Sequence, residues 1–418
     1  GIPPDKITRR TCRDGTHASD FAGFGRGGGH TFPTVGVLHK LLYLCRILRT
    51  LCSSPVFELL TGQKGRDTIE LLQKILREGD SYMYIATIDT GTSNTRVKLW
   101  NNGKVISRSF VGAGVRDTAV TGSKTRLCQG VKDAIKAALE QKNIKASEVD
   151  LFLASGMITS NVGLYEVPHV CAPAGVEELA KGMVSAQINE VIDKPIWFVP
   201  GVKNQLKDIN INNCEEMDIM RGEEAETFGI IESLKIKGPA VLILPGSHSK
   251  FVSLNKSCKI AGCVTTLAGE LLSVITKNTI LANALNSSFA ERINKEFIMA
   301  GAGYSRKVGL GRTCFLVRIL DQFTEYTIDD KANFLLGAVL ENDLYAVKNS
   351  SALKADPGQP IIIGGSDILK RAFEILIKND DHFRGKVYVV DDDSMQDMAG
   401  LGSIAAAKAR GLVKEEWS

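Results

Sequence analysis

A chain of 418 residues is long enough to bury two domain-sized cores, and its 44% hydrophobic and 23% charged residues are typical of a soluble globular protein. The formal net charge of +4 lies within residues 1–82 and the remainder is neutral, which argues against a nucleic-acid-binding protein. The sequence has no apolar run of the ~20 residues that a membrane-spanning helix requires.

The nine cysteines are spaced singly, without a CxxC pair or a Cys/His cluster. An odd number of scattered cysteines argues against a disulfide framework and against a structural zinc site. Reduced thiols are instead typical of proteins in a reducing compartment. The sequence therefore predicts a cytoplasmic protein.

Residues 1–82 differ in composition from the rest of the chain, with a glycine-rich patch at 23–29 and an apolar, basic run at 35–51. The patch reads GFGRGGG, but it has neither the preceding strand nor the following helix of a nucleotide-binding loop. We expect a poorly structured N-terminal extension here, with the folded protein beginning at Met83.

From Met83 onward the pattern becomes regular. Three consecutive antiparallel strands are predicted at residues 84–89, 95–100 and 105–111. They are followed by a helix at 123–141, a strand at 150–154, a helix at 176–186, a strand at 195–199 and a helix at 223–234. This order forms one mixed α/β unit.

The second half repeats the order of the first. Its strands are predicted at 240–244, 251–254, 259–264, 361–363 and 387–390, and its helices at 267–285, 328–347, 367–377 and 401–410. Two copies of the same unit predict an α/β protein with two domains, residues 83–237 and 238–418, that face each other across a cleft.

The turn of the first hairpin reads DTGTSNTR. An aspartate at a strand end can hold Mg²⁺ through water, and a short Gly/Ser/Thr turn brings backbone N–H groups close to phosphate oxygens. An ordinary polar hairpin turn is the alternative. The predicted nucleotide-binding residues are Asp89, which is also the predicted metal ligand, and Gly91, Thr92, Ser93, Asn94 and Arg96.

The matching turn of the second unit reads PGSHSK. Phosphoryl transfer depends mostly on positioning and on stabilisation of charge, so two such turns on opposite sides of a cleft can clamp a triphosphate. The chain contains no GxxxxGK[ST] loop, which argues against a P-loop enzyme. The second set of predicted nucleotide-binding residues is Gly246, Ser247, His248, Ser249 and Lys250.

Two glycines, Gly364 and Gly365, follow the predicted strand at 361–363 and open a helix. Because glycine has no Cβ, the backbone here can approach a flat base or a sugar closely. A tight strand-to-helix turn without a ligand explains the same pattern.

The segment MDIMRGEEAE, residues 217–226, ends the first unit. Asp218 is the first candidate for the base that accepts a proton from a substrate hydroxyl, and Glu223 is the second. Arg221 is a candidate to bind a substrate carboxylate or the transferring phosphoryl group. Capping of the following helix is the alternative, and it explains Glu223 better than Asp218.

The segment SGMITSNVGLYEVPHV, residues 155–170, follows a predicted strand and is rich in small residues and hydroxyls. We expect it to wrap a polyhydroxy acid through Ser155, Gly156, Met157 and Ile158. A purely structural loop fits these residues nearly as well. His169 has no partner at metal-ligand spacing and is expected to be structural.

These motifs, together with TLAGELL at 266–272 and FLLGAVLENDL at 334–344, resemble those of the 2-dehydro-3-deoxygalactonokinase family and occur in the same order along the chain. That family belongs to the sugar kinase, actin and heat-shock-70 superfamily. The resemblance extends from about residue 83 to the last residue, with a poor match at 286–327. It implies two ribonuclease-H-like, actin-like ATPase domains that use ATP and Mg²⁺. The implied reaction phosphorylates the 6-hydroxyl of 2-dehydro-3-deoxy-D-galactonate.

The resemblance also implies roles for the motifs. DTGTSNTR becomes the first phosphate loop, PGSHSK the second, and Gly364 with Gly365 the contact to adenosine. Asp218 takes the place of the catalytic acid that precedes the second phosphate hairpin in related sugar kinases.

Two other functions stay open on the sequence. The GEEAE run at 222–226 suggests a phosphate hydrolase of the exopolyphosphatase type, and the fold also occurs in sugar-sensing regulators and actin-like assembly proteins. A neutral chain without a basic helix-turn-helix segment argues against a regulator. The expected partners are a small sugar acid and ATP, without nucleic acid or membrane, and a homodimer stays open.

Overall fold

The computed structural model describes residues 83–418 except 354, 366, 415, 416 and 418. The extension expected at residues 1–82 therefore lies outside the described residues. Within the described part, every helix is too short or too polar to span a bilayer.

Strands and helices alternate in the predicted manner. In chain order, the strands are β1 (Tyr84–Thr90), β2 (Thr95–Asn101), β3 (Lys104–Val111), β4 (Leu151–Gly156), β5 (Val170–Cys171), β6 (Val184–Gln187), β7 (Pro195–Phe198), β8 (Val202–Lys203), β9 (Ile219–Met220), β10 (Ala240–Leu244), β11 (Ser249–Leu254), β12 (Ile260–Thr266), β13 (Ile361–Ile363) and β14 (Val387–Val389). The helices are α1 (Val115–Thr121), α2 (Thr125–Glu140), α3 (Val176–Gly182), α4 (Glu223–Leu234), α5 (Ala268–Asn278), α6 (Lys295–Val308), α7 (Leu310–Phe323), α8 (Ile328–Asn349), α9 (Asp367–Lys378), α10 (Asp392–Met395) and α11 (Met398–Ala409).

The first sheet has the strand order β3-β2-β1-β4-β7-β6. β1, β2 and β3 are antiparallel neighbours, whereas β4 and β7 run parallel to β1. The turn between β2 and β3 contains Asn102 and Gly103, both with positive φ. Asn-Gly is the residue pair that such a two-residue hairpin turn favours, which explains why the sequence predicts it.

The second sheet has the order β12-β11-β10-β13-β14 and follows the same plan. Three antiparallel strands are again joined by two strands that run parallel to the first of them. Each unit thus has the strand order 3-2-1-4-5, with an additional antiparallel strand, β6, at the edge of the first. The predicted architecture of two ribonuclease-H-like α/β domains is confirmed.

The part of the chain around each of the two large sheets, here called the first and the second lobe, has its own apolar core. In the first, α2 packs against β2 and β3, and Leu127 and Val131 lie among fully buried residues of this sheet. In the second, α8 packs against α6 and reaches β12, and Phe251 is buried beneath it. Full burial of a side chain such as Phe251 contributes about 1.5–3 kcal/mol to stability.

A third cluster of buried residues joins the lobes, and the last helix belongs to it. α11 packs against α4 and touches β1 and β4 of the first sheet. The two helices approach so closely that a Cβ on Gly402 would lie 1.8 Å from the carbonyl oxygen of Ala225. The boundaries proposed from the sequence, 83–237 and 238–418, stay a prediction, and α11 returns across them to the first sheet.

The lobes are also joined by hydrogen bonds along β12. Ala174 and Ile260 exchange two backbone hydrogen bonds, at 2.8 and 2.9 Å. The side chain of Asn204 bonds to both the N–H and the carbonyl of Cys263, at 2.9 Å each. Asn204 follows β8 of a small three-stranded sheet, β5-β8-β9, which therefore lies at the junction of the lobes.

Several elements differ from the predictions, and the short elements α1, α10, β5, β8 and β9 are not predicted at all. The helix predicted at 176–186 ends at Gly182, and β6 follows as an edge strand with alternately exposed residues. The helix predicted at 267–285 ends at Asn278. α6 and α7 occupy the region 286–327, for which the sequence predicts no element.

Candidate active site

A cleft of about 830 Å³ lies between the two hairpin turns. Residues from both predicted phosphate loops and from the segment 217–226 line it, so the structure brings together parts that are far apart in sequence. The predicted site residues that line the cleft are Asp89, Gly91, Thr92, Arg96, Gly156, Met157, Asp218, Arg221, Glu223, Gly246, Ser247, His248, Lys250 and Gly365.

Six predicted site residues do not line the cleft. Three of them, Ser155, Ile158 and Ser249, are almost fully buried, so they act, if at all, through their neighbours. The others are Ser93, Asn94 and Gly364.

The first turn is anchored to the start of a helix. Its own closing bond joins the Gly91 N–H to the Asn94 carbonyl at 2.9 Å. The carbonyls of Gly91 and Thr92 accept hydrogen bonds from the N–H groups of Val115 and Arg116 in the first turn of α1, at 3.2 and 2.9 Å. Because these N–H groups lack partners inside the helix, the turn satisfies them and is held in place.

The second turn is anchored in the same way. The Ser247 carbonyl accepts from the Glu270 N–H at 2.9 Å, in the first turn of α5. The His248 Nε2 and the Glu270 carboxylate add a 2.8 Å contact. The two halves of the chain therefore present equivalent turns, each seated on the N-terminus of a helix.

Gly365 lies against the second turn. Its φ is +82°, and a Cβ at this position would lie 2.6 Å from the Pro245 carbonyl oxygen. Only glycine fits such a conformation and such a close approach without strain. Gly364 is buried instead against Met395, whose sulfur would lie 2.9 Å from an added Cβ.

Asp89 is the penultimate residue of β1 and lines the cleft. Its Oδ2 accepts a hydrogen bond from the Arg96 Nη1 at 3.3 Å, and its Oδ1 lies 3.0 Å from where a Cβ on Gly156 would be. Burial raises the pKa of Asp89, while the positive charges of Arg96 and Lys98 act in the opposite direction. The carboxyl group is therefore held in a crowded, partly desolvated position.

Glu226 is a cleft residue that the sequence analysis misses. It lies three residues after Glu223 on α4, a spacing that places both side chains on one face of the helix. Burial raises the pKa of Glu226 to about 8, and the nearby carboxylates of Asp89 and Glu223 add to the increase. The spacing of the two glutamates could have indicated that Glu226 faces the same way as Glu223. Its proximity to Asp89 could not be predicted, because it is a contact between residues far apart in the sequence.

Asp218 joins the lobes. Its Oδ2 accepts from the Thr265 N–H at 2.6 Å, and its Oδ1 accepts from the Thr265 hydroxyl at 2.7 Å and from the Ile219 N–H at 2.6 Å. The Lys250 Nζ lies 3.9 Å from Oδ1 and donates to the Ile219 carbonyl at 2.8 Å and to the Thr265 hydroxyl. Each oxygen of Asp218 thus accepts at least one hydrogen bond, and the side chain also lines the cleft.

Glu223 is the first residue of α4 and has a freer carboxylate. Its Oε2 accepts from the Arg221 N–H at 3.0 Å. Its Oε1 has no hydrogen bond to the described part of the chain, and the side chain lines the cleft. Glu223 can therefore stabilise the start of the helix through Oε2 and still present Oε1 to the cleft.

Arg221 fastens the loop 155–170 to the end of β9. Its Nη1 donates to the carbonyl and the hydroxyl of Thr159, both at 2.7 Å, and its Nη2 donates to the Val167 carbonyl at 2.7 Å. Nη2 also lies 3.3 Å from the Nδ1 of His169. With both terminal nitrogens engaged, Arg221 is better suited to shape the cleft than to grip a substrate alone.

His169 is expected to be neutral at pH 7. Burial lowers its pKa to about 4, and the charges of Arg221 and Lys203 add to this effect. Because an arginine can only donate, the Nδ1 facing Arg221 is the acceptor and the proton lies on Nε2. Four further side chains of this loop that the sequence analysis leaves out, Ser160, Asn161, Glu166 and Pro168, line the same wall.

The sequence model of the family described as 2-keto-3-deoxy-galactonokinase matches residues 89–401. Among solved structures, a protein from Sinorhizobium meliloti described as a 2-dehydro-3-deoxygalactonokinase is similar over 78% of this chain and 99% of its own, with 24% identity and a TM-score of 0.61. That likeness shows the fold.

Two more distant structures are also similar. Component A of the (R)-2-hydroxyglutaryl-CoA dehydratase of Acidaminococcus fermentans matches over 78% of this chain and 99% of its own, with 12% identity and a TM-score of 0.41. A Porphyromonas gingivalis protein described as an N-acetylglucosamine kinase matches over 77% and 98%, with 13% identity and a TM-score of 0.38. No curated protein sequence matches the chain significantly.

Proposed function

Because the chain belongs to the 2-keto-3-deoxy-galactonokinase family, and is thus an ATP-dependent sugar-acid kinase, we propose that it transfers the γ-phosphate of ATP to the 6-hydroxyl of 2-dehydro-3-deoxy-D-galactonate. The observation that carries this proposal is the pair of equivalent turns facing one cleft, with the carboxylate of Glu223 between them. Such a site can hold a triphosphate from two sides and place a base beside the attacking hydroxyl.

The two turns divide the nucleotide between them. The backbone of 91–92 and of 246–248 approaches the phosphates, and Gly365 allows the adenosine end of ATP to lie close to the second turn. Because both turns are anchored on helix N-termini, little rearrangement is needed when the phosphates bind.

We assign the base to Glu223 in preference to Asp218. In in-line transfer the 6-hydroxyl oxygen bonds to the γ-phosphorus while the bond from that phosphorus to the bridging oxygen breaks and ADP leaves, and the hydroxyl proton passes to the Oε1 of Glu223. Asp218 has both oxygens committed to Thr265 and Ile219, so its contribution is to hold the two sides of the cleft together.

The acidic residues at the floor of the cleft fit a magnesium ion. Burial raises the pKa of Glu226, and the neighbouring carboxylates of Asp89 and Glu223 raise it further, so a cation beside these side chains would be favourable. No three acidic, histidine or cysteine side chains of the described residues lie close enough to ligate a metal directly. Mg²⁺ usually keeps several waters and binds phosphate oxygens, so Asp89 and Glu226 would hold it through water, where it would neutralise phosphate charge.

The loop 155–170 supplies the sugar-acid side of the cleft. Arg221 holds this loop, while Gly156, Met157 and the side chains of Ser160 and Asn161 face the substrate. We also propose a cytoplasmic location, since the cysteines of the described residues are all free thiols. The homodimer stays a prediction.

The test is an ADP-release assay with the full chain, ATP and a panel of 2-keto-3-deoxy sugar acids, with ³¹P NMR of the product. We expect ADP release to depend on the sugar acid and the product to carry phosphate on its 6-oxygen. Phosphate release at a comparable rate without any sugar acid would instead support the hydrolase alternative. Binding of the sugar acid without turnover would support the sensor.

A further inference from the structure

The end of the second hairpin lies between two aspartates. Ser249 pairs with Thr266 across the strands, and Lys250 pairs with Thr265. Because successive side chains of a strand point to opposite faces, Lys250 and Thr265 face Asp218 of the first lobe, whereas Ser249 and Thr266 face the helix α8. The residue on α8 that they meet is Asp343.

Asp343 is deeply buried, with 4% of its surface exposed. Burial raises the pKa of its carboxyl group to about 7, and the hydroxyls of Thr266 and Ser249 only partly offset this. No charged group of the described residues contributes to the shift. The charged side chain of the adjoining strand, Lys250, points to the opposite face of the sheet.

The three side chains form a polar cluster whose hydrogen bonds are incomplete. The Asp343 Oδ2, the Ser249 Oγ and the Thr266 Oγ1 are all buried, and none has a well-formed hydrogen bond. A neutral carboxylic acid can donate to one hydroxyl and accept from the other, whereas a carboxylate can only accept. An ionised carboxylate with two hydroxyls as its neighbours would therefore be poorly compensated for its burial.

We propose that Asp343, as a neutral carboxylic acid, is a positioning residue that holds Ser249 and Thr266 and so keeps the second turn in place for the phosphates of ATP. Ser249 follows this turn directly, and Thr266 leads into α5, on whose N-terminus the turn is seated. This inference rests on the proposed function, since it requires that the turn bind phosphates. Ionisation of Asp343 would place a negative charge behind the turn and weaken ATP binding.

The experiment measures kcat and the KM for ATP from about pH 6 to about pH 8.5 for the wild type and for Asp343→Asn, which keeps the shape and removes the titration. In the wild type we expect the KM for ATP to rise about three- to tenfold through this range, an effect of the size expected for one poorly screened charge near the phosphates. In Asp343→Asn this rise should be absent, which leaves only the titrations of Glu226 and of ATP itself in the profile.

Two variants serve as controls. Asp329→Asn removes a carboxylate from the same helix, one that accepts from the Glu291 N–H at 2.7 Å. It lies 14 residues, or ~21 Å of helix, from Asp343 and should keep the wild-type profile. Thr266→Val keeps the carboxyl group but removes one hydroxyl, so the midpoint of the rise should move to higher pH.

The inference is overturned if Asp343→Asn and the wild type show parallel rises in KM. Equilibrium binding of ATP over the same pH range, with the infrared band of a protonated carboxyl group, gives a second readout without turnover. Because Glu226 is also expected to be protonated near pH 6, the band is read from the difference between the wild type and Asp343→Asn, and its absence from that difference would equally contradict the assignment. If ATP binds with the expected pH dependence but no sugar acid is phosphorylated, the proposed function fails and this inference stands.

Discussion

Asp218 and Thr265 connect the two lobes at the cleft itself, through hydrogen bonds from the Thr265 amide and hydroxyl to both carboxylate oxygens. Together with the Asn204–Cys263 bonds, they continue a line of contacts along β12. Since Asp218 precedes Glu223 by five residues, the segment that carries the proposed base is attached directly to the opposite lobe.

The first prediction concerns Glu223→Gln. Loss of a general base should lower kcat by ~10²–10⁴-fold, while the affinity for ADP measured by calorimetry stays unchanged. Glu232→Gln is the matched control, since Glu232 lies on the same helix and forms an exposed pair with Lys235. Near-normal turnover of Glu223→Gln would exclude it as the base.

The second prediction concerns Asp218→Asn. The NH₂ group of the asparagine side chain would face a backbone N–H group, that of Thr265 or that of Ile219, and one hydrogen bond would be lost. Unfolding free energy should therefore fall by about 1–3 kcal/mol, measured by denaturant titration, and kcat should fall less than in Glu223→Gln. A ~10²–10⁴-fold loss of kcat at unchanged stability would instead return the role of base to Asp218.

The third prediction concerns Arg221→Lys. A lysine cannot reproduce the forked bonds to Thr159 and Val167, so the loop 155–170 should loosen. We expect the KM for the sugar acid to rise about tenfold or more, as for the loss of a hydrogen bond to a charged group, while the KM for ATP changes little. Arg126→Lys, at an exposed pair with Asp117, should leave both constants unchanged. An equal rise in both would argue against a specific effect on the sugar side.

The fourth prediction concerns Gly365→Ala. The positive φ and the 2.6 Å approach to the Pro245 carbonyl oppose any side chain here. Stability should fall by about 1–3 kcal/mol and the KM for ATP should rise, since the second turn must move. Gly303→Ala provides the contrast, because nothing lies within 4 Å of its Cβ position in α6 and alanine favours helix, by about 0.5–1 kcal/mol. A Gly365→Ala protein as stable as the wild type would refute the argument.

The fifth prediction is a pH dependence of stability. The Asp343 pKa is raised from 3.8 to about 7 in the folded protein, so the unfolded chain releases this proton first. Its contribution to stability should therefore decrease as pH rises from about 4 to about 7 and then level off, by up to ~4 kcal/mol in all. In Asp343→Asn the slope of Tm against pH should be smaller by this contribution, while Glu226 keeps its own. Equal slopes in the two proteins would contradict a buried, protonated carboxyl group.

The sequence predicts the repeated hairpins well, for a physical reason. Alternating apolar residues and turn residues such as Asn102 and Gly103 act locally, so strands and turns can be recognised without knowledge of the fold. The strand order of each sheet then follows from the repeat. The same local signals predict α4 with its observed bounds, Glu223–Leu234.

The remaining features depend on contacts between distant residues. α6 and α7 lie where the family resemblance is poor, and β6 forms only because β7 is there to pair with it. The commitment of Asp218 to Thr265 and the approach of Glu226 to Asp89 arise when the lobes assemble. Sequence spacing therefore identified the segment 217–226, whereas the contacts of its acids, from which we propose Glu223 as the base, arise only in the folded protein.

The return of α11 to the first lobe has a consequence for biosynthesis. β1 is among the first parts of this unit to leave the ribosome, yet the helix that covers it ends at Ala409, and the Trp417 indole donates to the Met83 carbonyl at 2.9 Å. The first lobe therefore cannot complete its packing while the second is still being translated. Its apolar surface is covered only after α11 and Trp417 have been synthesised.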